Sequence, residues 1–313
     1  MWPFGPSVTN DMRIGIIGAG AMGTLFGFHL AGVGEVTMLD NNPAVLEAIG
    51  EHGIAVNDSP ARRVSVARSA RQLYGSQVLF LFVKAVDTLQ ALRAFAGELN
   101  PVTPVVSLQN GIGNDEAIKT ALGGAVPVVL GVTTESSLML APGRVRSSKP
   151  GGTIVGSAGA APATSRTVAE LLSGSGLRCS VVYDIRPHLW GKLVANAAVN
   201  AMSALLDCEV GAIPRDADAA RLARALAQEA VSVATALKIS LPFADAWQYI
   251  TEVIDVGADS KSSMAFDLQS RHPSEIDHIN GAVVAAGRRV GIPTPYNEAV
   301  LRLMRAREAL GRP

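Results

Sequence analysis

The chain has 313 residues, 48% of them apolar and 17% charged, with 27 basic side chains balancing 27 acidic ones. That length exceeds the roughly 250 to 300 residues at which a single hydrophobic core stops growing, so two domains are expected. Balanced charge offers no field to polyanions or anionic lipid, and no run reaches the roughly 18 apolar residues of a membrane span, so neither nucleic acid nor membrane is expected as a partner.

Residues 1–11 contain Pro3, Gly5, Pro6, Ser7, Thr9 and Asn10 and lack the basic start and apolar run of a secretion signal; they read as a frayed extension, with Met12 the more natural start. Residues 12–17 form a β-branched run bounded by Gly18, and residues 19–30 carry apolar side chains at helical spacing, which predicts strand, glycine turn, helix. The turn is GxGxxG. Gly18 permits the tight bend, Gly20 lets backbone approach a pyrophosphate, and Gly23 lets the helix lie close on the strand. Ala21 and Met22 open that helix, whose positive end suits phosphate. In a glycine-rich chain such a motif also occurs as an ordinary packing turn; here the flanking βαβ pattern favours a dinucleotide.

A strand over 35–39 ends at Asp40, where a carboxylate can hold the adenosine ribose hydroxyls. That argues for NAD(H), because a 2'-phosphate would meet like charge and Asn41, Asn42 and Pro43 supply no arginine to offset it. The rival role for Asp40 is capping of the next helix. A strand over 77–83, a helix over 87–99 and a strand over 102–108 continue the alternation, predicting a parallel sheet with ligands at the carboxyl ends of its strands. Lys84 follows one strand end directly and Gln109, Asn110 and Gly111 follow the next. Lys84 is expected on the ligand face, against the alternative of a solvated surface lysine. Gln109 and Asn110 are expected to touch cofactor or substrate, against that of a turn-forming Asn-Gly. Strands within 126–132 and 144–155, with turns at Pro142-Gly143 and Pro150-Gly151-Gly152, close the first domain; 177–183 is its last strand and 184–188, with Pro187, the hinge. Cys179 and Cys208, the only two cysteines, read as buried thiols of a reducing cytoplasm.

From residue 189 onward the pattern is helical. Residues 189–206 are almost all Ala, Leu, Val, Met or Trp, yet Lys192, Asn196 and Asn200 recur four apart and share one face. A surface stripe would be richer in Glu, Arg and Gln, and burying an unpaired ammonium costs several kcal/mol or lowers its pKa, so this face reads as the lining of a cleft. A lysine there suits carbonyl reduction: hydride arriving at the carbon creates an alkoxide that needs positive charge and then a proton. The asparagines can donate to substrate oxygens without adding charge. Farther on, Ser262-Ser263-Met264 precedes Phe266-Asp267-Leu268, and Ser274 opens a helix over 275–290, with Ser274 and Asp277 resembling a capping box and Glu275 in the first turn. Asp277 and His278 read as structural. No ligand set at metal spacing accompanies them, and no metal is expected.

Together these motifs resemble the ketopantoate reductase (2-dehydropantoate 2-reductase) family over nearly the whole chain from Met12. The pieces are Gly18 to Gly23, "VKAVDT" around Lys84, "LQNGIGN" from Leu108, "LWGKLVANAAVNAMSAL" from Leu189, "SSMAFDL" from Ser262 and "SEIDHINGAVV" from Ser274. The resemblance implies an α/β Rossmann domain with a mostly parallel sheet over 12–183 and an all-helical substrate and catalytic domain over 184–313. It implies reduction of a small 2-oxo acid by NAD(H) or NADP(H) in the cytoplasm. Lys192 then corresponds to the proton donor and Glu275 to the acidic residue that contacts substrate and assists catalysis. Asn196 and Asn200 match substrate-binding asparagines, Ser263 the serine that holds the substrate carboxylate, and Lys84, Asn110 and Glu275 positions bordering the nicotinamide, with Asn110 also facing substrate. The family further implies a cleft that closes over its ligands and a homodimer through the helical domain.

Two features depart from the family pattern. Members that use NADPH carry a basic residue soon after the second strand, where this chain has Asp40. The segment "TTESSLM" from Thr133 replaces a commoner run of small residues and histidine. The acidic residue resembles the related NAD-dependent D-2-hydroxyacid dehydrogenases of the D-mandelate type, and the altered segment implies a different substrate pocket. A redox-sensing protein that binds a dinucleotide without turnover is the reading from another class, and it leaves Lys192 and Glu275 without a purpose.

Overall fold

The computed structural model describes residues 11–124, 126–147, 150–157 and 161–311; residues 1–10, read above as a frayed extension, lie outside them. The described residues form two compact units, one comprising those up to Gln109 together with those of Asn114–Ile185, the other comprising Asn110–Gly113 together with those from Arg186 onward.

In the first unit the elements run β1 (Arg13–Ile17), α1 (Ala21–Leu30), β2 (Glu35–Leu39), α2 (Pro43–His52), β3 (Ala55–Val56), β4 (Ser65–Ala67), β5 (Val78–Leu81), α3 (Thr88–Leu92), β6 (Val105–Ser107), α4 (Asn114–Leu122), β7 (Val128–Thr133), β8 (Leu138–Ala141), β9 (Arg144–Arg146), β10 (Thr153–Ser157), α5 (Pro162–Gly174) and β11 (Cys179–Asp184). Eight strands make one sheet in the order β11-β10-β7-β6-β5-β1-β2-β4, and β3, β9 and β8 make a small second one. Every neighbouring pair in the large sheet is parallel except β10 against β7. β5 and β6 are buried along their whole length, as strands covered on both faces must be, and all of β1 but Arg13 is buried too. The strand order reverses at β1, which has β2 on one side and β5 on the other. In a Rossmann sheet that reversal marks the ligand crevice.

Two local expectations give way here. The helix over 87–99 is α-helical only across Thr88–Leu92, flanked by 3-10 turns at Ala85–Asp87 and Arg93–Phe95, because Phe95 turns into the core and Gly97 reverses the chain at φ +76°. The strand over 102–108 shrinks to Val105–Ser107, since Pro104 has no N–H to give a ladder.

The second unit holds α6 (Arg186–Leu206), α7 (Ala217–Ala236), α8 (Ala246–Val256), α9 (Ser263–Gln269), α10 (Asn280–Val290) and α11 (Pro295–Leu310). Within residues 184–188, read above as the hinge, β11 ends at Asp184, the units divide after Ile185 and α6 begins at Arg186; Pro187 occupies its first turn, where a missing N–H costs nothing. α6 packs against α7, α8, α9 and α11. Its buried alanines, among them Ala197, Ala198 and Ala201, favour the helix and let those neighbours approach closely. A buried polar network joins four of these helices. Asn280 Nδ2 donates to Ala197 O and to Asn297 Oδ1, both at 3.0 Å, while Asn297 Nδ2 donates to Leu226 O at 3.1 Å and Glu229 Oε2 at 2.7 Å.

The helix expected over 275–290 starts only at Asn280, after a 3-10 turn at Ile276–His278. Ile276 and Ile279 are both buried, and a break at Ile279 (φ −110°, ψ −89°) brings them inward together. No capping box forms: the Ser274 hydroxyl bonds Glu308 and the Asp277 carboxylate pairs with Arg305. Cys179 and Cys208 are free but half-buried rather than buried, Cys179 at the start of β11 and Cys208 just beyond the end of α6. Among the described residues no helix is long and apolar enough to cross a membrane.

Candidate active site

The glycine turn between β1 and α1 has a separate reason for each glycine. Gly18 sits at φ +99°, and a Cβ there would lie 2.7 Å from Val83 N and 2.8 Å from Phe82 C, so both conformation and space demand glycine. A Cβ on Gly23 would lie 1.9 Å from Gly18 O. Gly20 differs: nothing lies within 4 Å of its added Cβ, so the fold gives it no reason to be glycine, and the space it opens is where a pyrophosphate would meet the backbone. Ala21 and Met22 begin a helix that has no side-chain cap and no acidic residue in its first turn, leaving amide donors suited to an anion.

Asp40 is tied to this same turn. Its Oδ2 accepts from Ala19 N at 2.7 Å and its Oδ1 from Asn42 N at 2.9 Å. The cap of α2 is Asn42, which accepts from Ala44 N at 3.1 Å, so the capping role considered for Asp40 belongs to its neighbour. Each Asp40 oxygen keeps a lone pair for a ribose hydroxyl. Lys84 is half-buried at the head of a 3-10 turn, its carbonyl accepting from Asp87 N at 2.9 Å. Gln109 is corrected from ligand contact to internal brace: both of its amide hydrogens are used, on Val83 O at 2.7 Å and Thr88 Oγ1 at 2.9 Å. The divergent segment from Thr133 reaches the glycine turn, with Ser137 Oγ 3.4 Å from Met22 Sδ. These residues fit a bound nicotinamide dinucleotide.

The second unit brings three of the expected residues together. Burial drives the Lys192 ammonium from the ordinary 10.5 down to about 8, with the Glu275 carboxylate opposing part of the fall. Glu275 is only 8% exposed, and Asn110 Nδ2 donates to its Oε2 at 2.9 Å. Asn110 reaches it because the following Gly111, at φ +85°, lies backbone against backbone on the Glu275 turn: a Cβ there would sit 2.3 Å from His278 O. A desolvated ammonium beside a carboxylate held by an amide can deliver a proton near pH 8.

Asn196 is half-buried and Asn200 buried, on the helix that carries Lys192. Ser263 is exposed as the first residue of α9. The sequence reading overlooked its neighbour Ser262, whose Oγ donates to Asn200 O at 2.8 Å and accepts from Ala265 N at 3.2 Å, sewing the start of α9 to α6. A serine pair ahead of an apolar helix was the available sign, because one of two such hydroxyls is usually spent on the cap. Among the described residues no three His, Cys, Asp or Glu side chains are grouped to hold a metal ion.

Residues 14–160 match the family model described as ketopantoate reductase PanE/ApbA, and residues 184–308 match its C-terminal counterpart. A 2-dehydropantoate 2-reductase from Pyrobaculum aerophilum is 36% identical over 299 residues, covering 94% of this chain and 98% of that protein. Another from Streptococcus pyogenes is 29% identical, covering 96% and 99%. Among solved structures, a PanE/ApbA family ketopantoate reductase from Ralstonia eutropha superposes with a TM-score of 0.87 at 29% identity, over 96% of this chain and 99% of that one. D-mandelate dehydrogenase in ternary complex with NADH and anilino(oxo)acetate gives the same TM-score of 0.87 at 26% identity, again over 96% and 99%.

Proposed function

The chain belongs to the ketopantoate reductase family, and on that footing we propose that it reduces 2-dehydropantoate to the 2-hydroxy acid with a nicotinamide cofactor, Lys192 being the proton donor. The observation that carries this reading is a lysine on an apolar helix, desolvated enough to titrate near pH 8 and placed under the charge of Glu275. The cofactor supplies hydride for C2 of the 2-oxo acid. Gly18, Gly20, Ala21, Met22 and Gly23 would hold its pyrophosphate, Asp40 its adenosine ribose, and Lys84, Asn110 and Glu275 would border the nicotinamide. Lys192 offers positive charge to the carbonyl oxygen as it becomes an alkoxide, then gives up a proton and remains as neutral amine. Glu275, oriented by Asn110, keeps that amine protonated before the step. Asn196 and Asn200 donate to substrate oxygens and Ser263 to the substrate carboxylate.

Asp40 favours NADH, because a 2'-phosphate would face a carboxylate already fixed by two backbone donors. The same feature and the equal likeness to an NADH-bound D-mandelate dehydrogenase keep a bulkier 2-oxo acid as the second reading. The cytoplasmic setting and homodimeric assembly come from the family resemblance alone. Initial rates on 2-dehydropantoate and on aryl or branched 2-oxo acids, each with NADH and NADPH, test substrate and cofactor together. Lys192→Ala should cut turnover about 100-fold or more while cofactor still binds. Full turnover in that variant removes Lys192 from the mechanism, and a preference for NADPH overturns the role given to Asp40.

A further inference from the structure

The turn that carries Glu275 is closed from within by His278 N, which donates to Glu275 O at 3.0 Å, and by Ile279 N, which donates to Glu275 O at 3.1 Å and to Ile276 O at 3.3 Å. Residues 274–279 contain one 3-10 turn and a break, so a single i to i+4 bond stands where a helix would repeat it. Beyond the Asn110 and Gly111 contacts described above, its anchors come from α11. Glu308 Oε1 accepts from Ser274 N at 3.0 Å and also from the Ser274 hydroxyl, which itself accepts from Ile276 N at 3.3 Å. Arg305 Nε donates to Asp277 Oδ1 at 2.8 Å. Arg305 and Glu308 are three residues apart on one face of α11, and the helix is fixed in turn by Leu301 and Met304, both buried in the core. Glu275 lies between the two anchored residues.

We propose that Glu308 and Arg305 are positioning residues that clamp the turn on both sides of Glu275 and so hold its carboxylate in place for Lys192. This rests on the role given to Glu275 above. The two arms are unequal. Arg305 and Asp277 are 58% and 54% exposed, and a pair so open to water holds weakly. Glu308 is half-buried and grips a Ser274 that is 7% exposed, so it is the principal arm.

Four variants of the full chain test the clamp: Glu275→Ala, Glu308→Ala, Glu308→Gln and Arg305→Ala, with folding followed by circular dichroism. Glu308→Ala should lower kcat about tenfold or more, because small displacements of a catalytic group are costly, while KM for the cofactor stays within about twofold. It should also move the alkaline limb of the reduction profile to lower pH, since a displaced Glu275 supports the ammonium less. Glu308→Gln keeps an acceptor oxygen for both Ser274 donors and removes only the charge, so it should restore wild-type behaviour; Arg305→Ala should fall between. If Glu308→Ala does not fold, Ser274→Ala removes the hydroxyl's bonds to Glu308 and Ile276 N while Ser274 N keeps its bond to Glu308, and it should give a loss and a pH displacement in the same direction. Wild-type kcat and pH profile in Glu308→Ala, or in Ser274→Ala where that variant stands in, alongside an impaired Glu275→Ala overturn the clamp and leave the role of Glu275 standing. Glu308→Gln as impaired as Glu308→Ala also overturns it, showing that charge and not the bond matters. Full activity in Glu275→Ala overturns the functional reading itself.

Discussion

Raising the pH perturbs the proposed proton donor without changing a single residue. Lys192 is pushed from 10.5 to about 8 by loss of water, with Glu275 pulling the other way. Reduction needs the ammonium, so kcat/KM for a 2-oxo acid should be level below about pH 8 and fall tenfold for each pH unit above it, reaching about one hundredth of its plateau at pH 10. A solvated lysine would hold the rate level to beyond about pH 10. Oxidation of the hydroxy acid needs the neutral amine and should rise through the same pH. Glu275→Gln removes the opposing charge, so its limb should lie at lower pH than that of the wild type. The same group affects stability in a determined direction. Its folded pKa lies below its unfolded one, so between about pH 8 and 10.5 unfolding takes up a proton and stability from this residue rises with pH, by up to about 3 kcal/mol. Below about pH 8 both states are charged and that gain is lost. Initial rates in both directions between about pH 6 and 10.5, with urea unfolding at about pH 7.5 and 10, read both effects. A reduction limb near pH 10, or a Glu275→Gln limb above that of the wild type, would refute the placement of Lys192.

The glycine turn allows a paired comparison. Gly20→Ala meets nothing and should leave Tm unchanged while weakening NADH binding at least about tenfold by calorimetry, whereas Gly23→Ala forces a contact 1.9 Å from Gly18 O and should lower Tm as well; a Gly20→Ala protein with wild-type affinity means the phosphates do not approach there. In the second unit, Asn297→Ala strips partners from Asn280 and Glu229 together and should cost about 2 to 4 kcal/mol in urea unfolding. A cost under about 0.5 kcal/mol would show the network to be dispensable.

Features written in nearest-neighbour chemistry were readable in advance. The β1-turn-α1 unit depends on glycines within six positions of one another, and the shared face of Lys192, Asn196 and Asn200 follows from the period of a helix. Asp40 was legible too, as a carboxylate at the end of a strand. Other features depend on segments that meet only after folding. Asn110 and Glu275 are 165 residues apart, and no local preference announces their bond. Gln109 has the look of a ligand contact until Val83 and Thr88 arrive to take both its hydrogens. Ser274 and Asp277 fit a capping box by spacing, but α11 offers each a better partner, and two isoleucines drawn into the core break the helix that the box would have begun. Spacing along the chain determined which residues could share a face and which backbone bends needed glycine, because those are short-range steric matters. Which polar groups face each other, and hence what pKa Lys192 has, was decided only by the tertiary structure, because burial and partnership are properties of distant segments brought together.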